Sequence, residues 1–313
     1  MNWAILVDAI TYSCLISLMS FGLAFVRITT GVWNVAHAGL VTIGAYVVFI
    51  SVALVGGSPY IYLPLAFIAC SLVAILEYIT IIEPLRRRKA STIMMLVATL
   101  SLDLFLFSLL NILADYLQFG LGLPSKNFLL RSFDFNFLGL PGIFWSSLLL
   151  LIFSLGFLQY LLKHTTVGIS LRASINNPLL APLIGVSITR VNMLSWLISG
   201  GFAGLSGGLL PLWTQGKPVL GDSLLPVMFC VAIVGGVEEV FGTFIGGILV
   251  GFTQTLLTFA LSLVFGPGVI PYKTLIPMVI LAITLLFAPR GITGIEWRRF
   301  LSLLRARVIA WRS

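Results

Sequence analysis

Four polar side chains stand inside apolar runs where a bilayer-spanning helix would normally carry none: Asn34, His37, Glu77 and Asp103. Asn34 and His37 are three apart in GVWNVAHAGLVTIGAY, so they share one helical face if this stretch is helical. Gly31, Gly39 and Gly44 surround them and let the backbone bend, break or approach a neighbour closely. One reading is a broken helix that points Asn34 and free backbone groups at a passing polar solute. The other is that both side chains only hydrogen-bond neighbouring helices, at roughly 1 kcal/mol each. Asp103 in TLSLDLFLFSLL and Glu77 in ILEYITII mark either an ion relay or an internal pairing. Structural pairing or local hydration is the favoured reading for both. Glu83 ends a span beside Arg86, an interface position.

Enzymatic chemistry finds little support. There is no HExxH, no GxSxG elbow and no Walker glycine-rich loop, so no catalytic residue and no metal site is assigned. Any ATP used must be hydrolysed on another chain. Cys14, Cys70 and Cys230 lie far apart inside apolar runs, which gives neither metal spacing nor a disulfide framework.

The elements that must position these residues are membrane spans. The 313 residues are 59% hydrophobic and 9% charged, against roughly a quarter charged in a soluble domain. Apolar runs near span length recur throughout without strand-like alternation, so the fold class is an all-α polytopic membrane protein. Eight to ten transmembrane helices are expected, with glycine-broken or re-entrant segments in each half. The runs are 4–26, 33–55, 60–82, 92–114, 143–162, 191–213, 224–237, 241–265 and 274–288. The seventh is shorter than the roughly 20 residues an upright span needs, and so a candidate re-entrant half-helix. Residues 115–141 are too rich in Gly and Pro to cross. The first run lacks a basic leader and a cleavage site, and reads as a retained span.

Of the 18 Lys and Arg, only Lys126, Arg131, Lys217 and Lys273 fall on one side when the runs are threaded alternately. That asymmetry places the opposite side in the cytoplasm, with the N-terminus outside and the C-terminus inside. Residues 1–295 form the transmembrane domain and 296–313 a basic cytoplasmic tail, either an amphipathic surface helix or plain disordered chain. A net charge of +8 then reflects orientation in the lipid bilayer, and no nucleic-acid partner is inferred.

Two further features matter. Gly200, Gly204 and Gly208 recur every fourth residue, as do the pairs Gly242 with Gly246 and Gly247 with Gly251, a spacing that brings helix backbones together. The glycine-interrupted run around Gly235 and Gly236 repeats the theme of the first half, and two such segments point to a site at the membrane midplane. Asn34, His37, Gly39, Gly200, Gly204, Gly235 and Gly236 are therefore the candidate pathway residues. The segment 163–190 is polar, interrupted and flanked by spans. Asn176 and Asn177 can stop one short helix and cap the next, Pro178 suits its first position, and Gly185 can end it in a left-handed cap. Such an elbow is either a docking surface or an ordinary loop.

Six stretches in order carry a resemblance: GVWNVAHAGLVTIGAY, EPLRRRKASTIMMLVATLSL, TTVGISLRASINNPLLAPLIGVSITRV, ISGGFAGLSGGLL, VAIVGGVEEVFGTFIGGILVG and LLFAPRGITG. Together they resemble the permease subunits of branched-chain amino acid ABC importers, and the length is similar to the smaller of two permease types. One departure stands out. The family usually reads Asn-x-Ala-His-Gly with an acid, whereas this chain reads Asn34-Val-Ala-His37-Ala38-Gly39.

The resemblance implies an importer of branched-chain or hydrophobic amino acids, with urea or short amides as related cargoes. It implies a second permease subunit, two ATPase subunits that bind the ATP, and an external solute-binding protein, with no cofactor on this chain. It also implies that the elbow seats in the ATPase, a contact role falling on Gly168, Arg172, Asn177, Pro178 and Gly185. The rivals are an ion-coupled secondary carrier using Asp103 or Glu77, and a membrane-embedded enzyme built on His37 with Asp103.

Overall fold

A computed structural model describes residues 3–177, 180–236, 239–288 and 291–294. Pro178, Glu238, Arg290 and the tail 296–313 lie outside the described residues. The chain is helical almost throughout. Helix α1 is Trp3–Thr30, α2 His37–Val55, α3 Leu63–Glu77, α4 Glu83–Arg87, α5 Thr92–Asp115 and α6 Gly142–His164. Then come α7 at Thr166–Asn176, α8 at Ile188–Trp213, α9 at Leu220–Gly235, α10 at Val240–Phe265 and α11 at Leu275–Phe287. The loop before α6 holds one small hairpin, Asn136–Phe137 paired with Leu140–Pro141. Among the described residues, 8 helical stretches are long and apolar enough to cross a membrane, and α9 is a shorter apolar helix beside them. This is an all-α polytopic membrane protein.

The bundle has two ends. At one, Phe25 near the close of α1 packs with Leu161 of α6, Leu171 of α7 and Val191 of α8, so this end carries the elbow. At the other, Tyr12 of α1 stacks on Trp213 at 4.9 Å, and Tyr60 Oη donates to Asp134 Oδ1 at 2.6 Å. α1 and α8 form the centre of the bundle, with most of their residues buried, while α5, α6 and α11 present long apolar faces outward. Exposed rows such as Phe105, Leu109 and Ile112 suit hydrocarbon and would be a liability in water.

Association inside a bilayer draws on close packing, because lipid tails are as apolar as leucine. The small-residue spacing supplies it. A Cβ added at Gly44 would lie 2.5 Å from the Gly204 carbonyl oxygen, so α2 and α8 cross backbone to backbone. Gly204 also faces Ala66 and Cys70 of α3, and Gly247 and Gly251 of α10 face Ser17 and Ser13 of α1. Phe21, Phe202 and Phe244 fill the space beside these crossings. Gly204→Leu is expected to cost about 1–3 kcal/mol by overpacking, read as earlier unfolding in mixed micelles. Gly156→Leu, where an added Cβ meets nothing within 4 Å, is expected to leave that midpoint unchanged.

Candidate functional site

The helix break in the first half lies within the stretch 31–46, at its start. Gly31 closes α1 at φ 77°, with its carbonyl held by Arg27 Nη1 at 2.6 Å. Residues 32–34 then run outside any helix or turn, and Val35 and Ala36 make the turn that opens α2 at His37. His37 Nε2 is 2.9 Å from the Met19 carbonyl. Met19 lies about 16 Å inside the end of α1, at roughly 1.5 Å per residue. The non-helical segment thus reaches back into the bundle, and α2 begins in its interior.

A chain without helical bonds must satisfy its backbone elsewhere when buried. Helix α5 does this. Thr99 Oγ1 accepts the Val35 N–H at 3.3 Å and lies 3.1 Å from the Trp33 carbonyl as donor. Asp103 Oδ1 accepts the Gly39 N–H at 3.3 Å, in the first turn of α2, where free N–H groups and the helix dipole welcome a carboxylate. Asn34 Nδ2 donates to Glu77 Oε2 at 3.4 Å. Glu77 is the last residue of α3, followed by a wider π-helical turn over Tyr78–Ile82. Both membrane acids therefore pair with the break. Glu77 Oε1 and Asn34 Oδ1 remain buried acceptors without a hydrogen-bond partner among the described residues, in side chains 3% and 1% exposed.

Asn34 and His37 do not share a helical face, because α2 starts only at His37. Asn34 turns to α3, whereas His37 is wedged between α1 and α8. The Met19 carbonyl can only accept, so Nε2 carries the imidazole proton. Nδ1 faces Ser199 Oγ at 3.4 Å, and Ser199 donates to the Gly22 carbonyl at 2.8 Å.

A second break answers the first. After α8 the chain pairs Gly216 with Phe128 through both backbone bonds, then starts α9 against the first turns of α2. The Gly221 N–H donates to Thr42 Oγ1 at 2.9 Å, and Gly221 sits so close to the Ala38 carbonyl that no side chain fits. Helix α9 ends at the elbow end, where Gly235 touches Gly242, while α2 ends at the other. Two helices thus start together inside the bundle and leave in opposite directions. Asp222, in the first turn of α9, acts electrostatically on Asp103.

The remaining expected pathway residues separate. Gly39 stands at this junction. Gly200 and Gly204 form the seam of α8 on α3, and Gly235 and Gly236 make the turn at the elbow end, away from Asn34. Thr42, Thr99, Ser199, Gly221 and Asp222 complete the junction. Each is a lone small polar residue or glycine in an apolar run, a signal visible only once the helices are set side by side.

At the elbow, Thr165 Oγ1 caps α7 by accepting the Gly168 N–H at 3.0 Å. Gly168 lies against the Leu161 carbonyl, which folds α7 back onto α6. Asn177 follows α7, and its Oδ1 accepts the Leu180 N–H at 3.2 Å. The second piece is a single 3-10 turn, Ala181–Ile184, rather than an α-helix, and Gly185 ends it in the left-handed region at φ 83°. Arg172 is exposed, as are Ile169, Leu183 and Ile184, Leu183 to 80%.

Asp103→Leu, which strips the Gly39 N–H of its acceptor, is expected to destabilise by about 1–3 kcal/mol in mixed-micelle unfolding. Asp103→Asn, which keeps a carbonyl oxygen, is expected to lose clearly less.

Residues 5–288 match the family described as branched-chain amino acid transport system, permease component. The chain is 37% identical over 300 residues to a probable branched-chain amino acid transport permease protein LivH of Methanocaldococcus jannaschii, covering 96% of this chain and 95% of that one. It is 24% identical to the high-affinity branched-chain amino acid permease protein BraD of Pseudomonas aeruginosa, over 92% and 94% of the two chains. Against the LivH protein of Escherichia coli it is 22% identical, with the same shares covered. No solved structure matches. The matched region takes in both helix breaks and the elbow, and the chain belongs to the permease family of branched-chain amino acid transport systems.

Proposed function

We propose that this chain is a permease subunit of an ATP-driven importer that moves branched-chain amino acids into the cytoplasm, with its elbow seated on an ATPase subunit. The observation that carries the reading is the elbow itself. It is built to a definite shape by Thr165, Asn177 and Gly185, yet shows Ile169, Leu183, Ile184 and Arg172 to the outside. Exposed apolar side chains around an arginine, off the end of a membrane bundle, match the kind of surface a soluble partner buries. The partners are a second permease, two ATPases that bind the ATP, and an external solute-binding protein. Orientation follows the charges, since Arg86, Arg87, Arg88, Lys89, Lys163, Arg172 and Arg190 fall at the elbow end, the cytoplasmic one.

The geometry offers a route from elbow to interior. Glu83 accepts from Thr189 Oγ1 at 3.0 Å, from Arg87 Nε at 2.9 Å and from Tyr78 Oη at 2.6 Å. Thr189 lies in the first turn of α8, directly after the elbow. Glu83 is joined to Glu77 through the π-helical turn, and Glu77 holds Asn34. A push on the elbow therefore reaches the interior break through one clamp and one helix. Nucleotide-driven closure of the ATPases shifts this assembly between two states that open to opposite sides.

The test is reconstitution with candidate second-permease, ATPase and solute-binding subunits from the same organism. ATP-dependent L-leucine uptake is expected with all components and none without the ATPases. Arg172→Ala and Gly185→Val are expected to cut uptake tenfold or more while ATP hydrolysis persists, and normal transport by both would overturn the elbow assignment. Thr189→Val removes the clamp donor and should shift the ratio of ATP hydrolysed to leucine moved in the same direction.

A further inference from the structure

At the end opposite the elbow, a cavity of about 240 Å³ lies between the start of α1, the end of α8, the outer half of α10 and the 3-10 turn Pro267–Thr274. That is below the roughly 300–1,000 Å³ of drug-sized sites, so it suits a small solute. Its wall carries one acid, Asp8, and one amine, Lys273. Neither has an ion pair among the described residues, where the salt bridges are Arg87 with Glu83 and Lys126 with Asp115.

The aromatic side of the cavity is fixed in place. Trp213 stacks on Tyr12 at 4.9 Å, Tyr12 Oη donates to Gln254 Oε1 at 2.9 Å, and Lys273 Nζ stands 5.6 Å from the Trp213 ring centre. Lys273 is thereby aimed without being neutralised. The hydroxyls that reach the cavity are already engaged: Thr255, Thr258 and Ser262 each donate to a carbonyl of their own helix. Asp8 and Lys273, both open to solvent, and the Gln254 amide stand against apolar wall from Ile5, Phe259 and Ile270.

We infer that this cavity receives an α-amino acid as a zwitterion, its ammonium on Asp8, its carboxylate on Lys273 and an aliphatic side chain against Ile5, Phe259 and Ile270. The inference rests on the reading of the chain as an amino-acid permease and narrows it. Urea and short amides carry no net charge for either group and leave both unpaired. A phospholipid head bearing an ammonium and a phosphate shares the charge pattern, so the experiment must separate the two sources.

The full chain in nanodiscs of phosphatidylglycerol alone, a lipid whose head carries no ammonium, is titrated with radiolabelled L-leucine, isopentylamine and 4-methyl-2-oxopentanoate. L-leucine is expected to bind, and each analogue at least tenfold more weakly. Asp8→Asn and Lys273→Met are expected to weaken L-leucine at least tenfold, with Lys273→Arg restoring most of it, and unchanged gel-filtration profiles report that the variants are folded. Equal binding by wild type and both variants overturns the inference. So does an absence of leucine binding combined with retention of phosphatidylethanolamine, which makes the cavity a lipid site.

Uptake by the assembled importer separates this claim from the one beneath it. A raised KM for leucine in Asp8→Asn and Lys273→Met supports the cavity. An unchanged KM in a working importer overturns the cavity and leaves the transport reading intact. A wild-type importer that moves no branched-chain amino acid removes the transport reading itself.

Discussion

The structure depends on one constraint: a backbone without helical bonds, buried at membrane depth, needs a partner for every N–H and C=O. Within residues 32–36, Trp33 and Val35 meet it through Thr99 of α5, a helix far away in sequence, and Asp103 of the same helix takes the Gly39 N–H in the first turn of α2. Continuing α1 directly into the next span would satisfy the same groups at no cost in buried acids. The chain instead brings two helix starts together inside the bundle and keeps Glu77 and Asp103 buried beside them. Such an expense makes sense where something must pass.

The centre and the periphery divide the work. Helices α1, α2, α3 and α8 cross on glycines and serines, so their spacing is fixed by backbone contact rather than by adaptable side chains. Helices α5, α6 and α11 lie outside, with leucines and phenylalanines facing outward. Between them, Glu83 links the elbow region of α8 to the helix that ends on Glu77. Rigid crossings with one polar clamp favour movement of whole helices over local deformation.

Much of this was legible in the sequence, for identifiable reasons. Span number and elbow form follow from local rules: apolar length, asparagine capping and glycine in the left-handed region, all of which act over a few residues. Asn34 and His37 stand out in the sequence as polar groups inside apolar runs, and Glu77 and Asp103 as acids that need a partner or local hydration. Their relation was not legible, because a spacing of three means one face only inside a helix, and the helix begins at His37. Gly235 and Gly236 show the same limit. Their glycines signal a break, but whether it falls at the midplane or the surface depends on where α9 starts, and Gly221 sets that by touching Ala38. Thr42, Thr99 and Ser199 carry no local signal, since a hydroxyl in a membrane helix usually returns to its own carbonyl.

The opposed starts of α2 and α9 have an electrical consequence. Each helix carries a dipole along its axis, positive where it begins. Because the two begin together and leave toward opposite faces, their dipoles oppose one another across the membrane. Moving one elementary charge through the transmembrane field is worth about 2.3 kcal/mol per 100 mV. In a rocking motion that carries α2 and α9 as a pair, the backbone contributions of the two helices have opposite sign and largely cancel, so their dipoles leave the motion nearly insensitive to resting voltage.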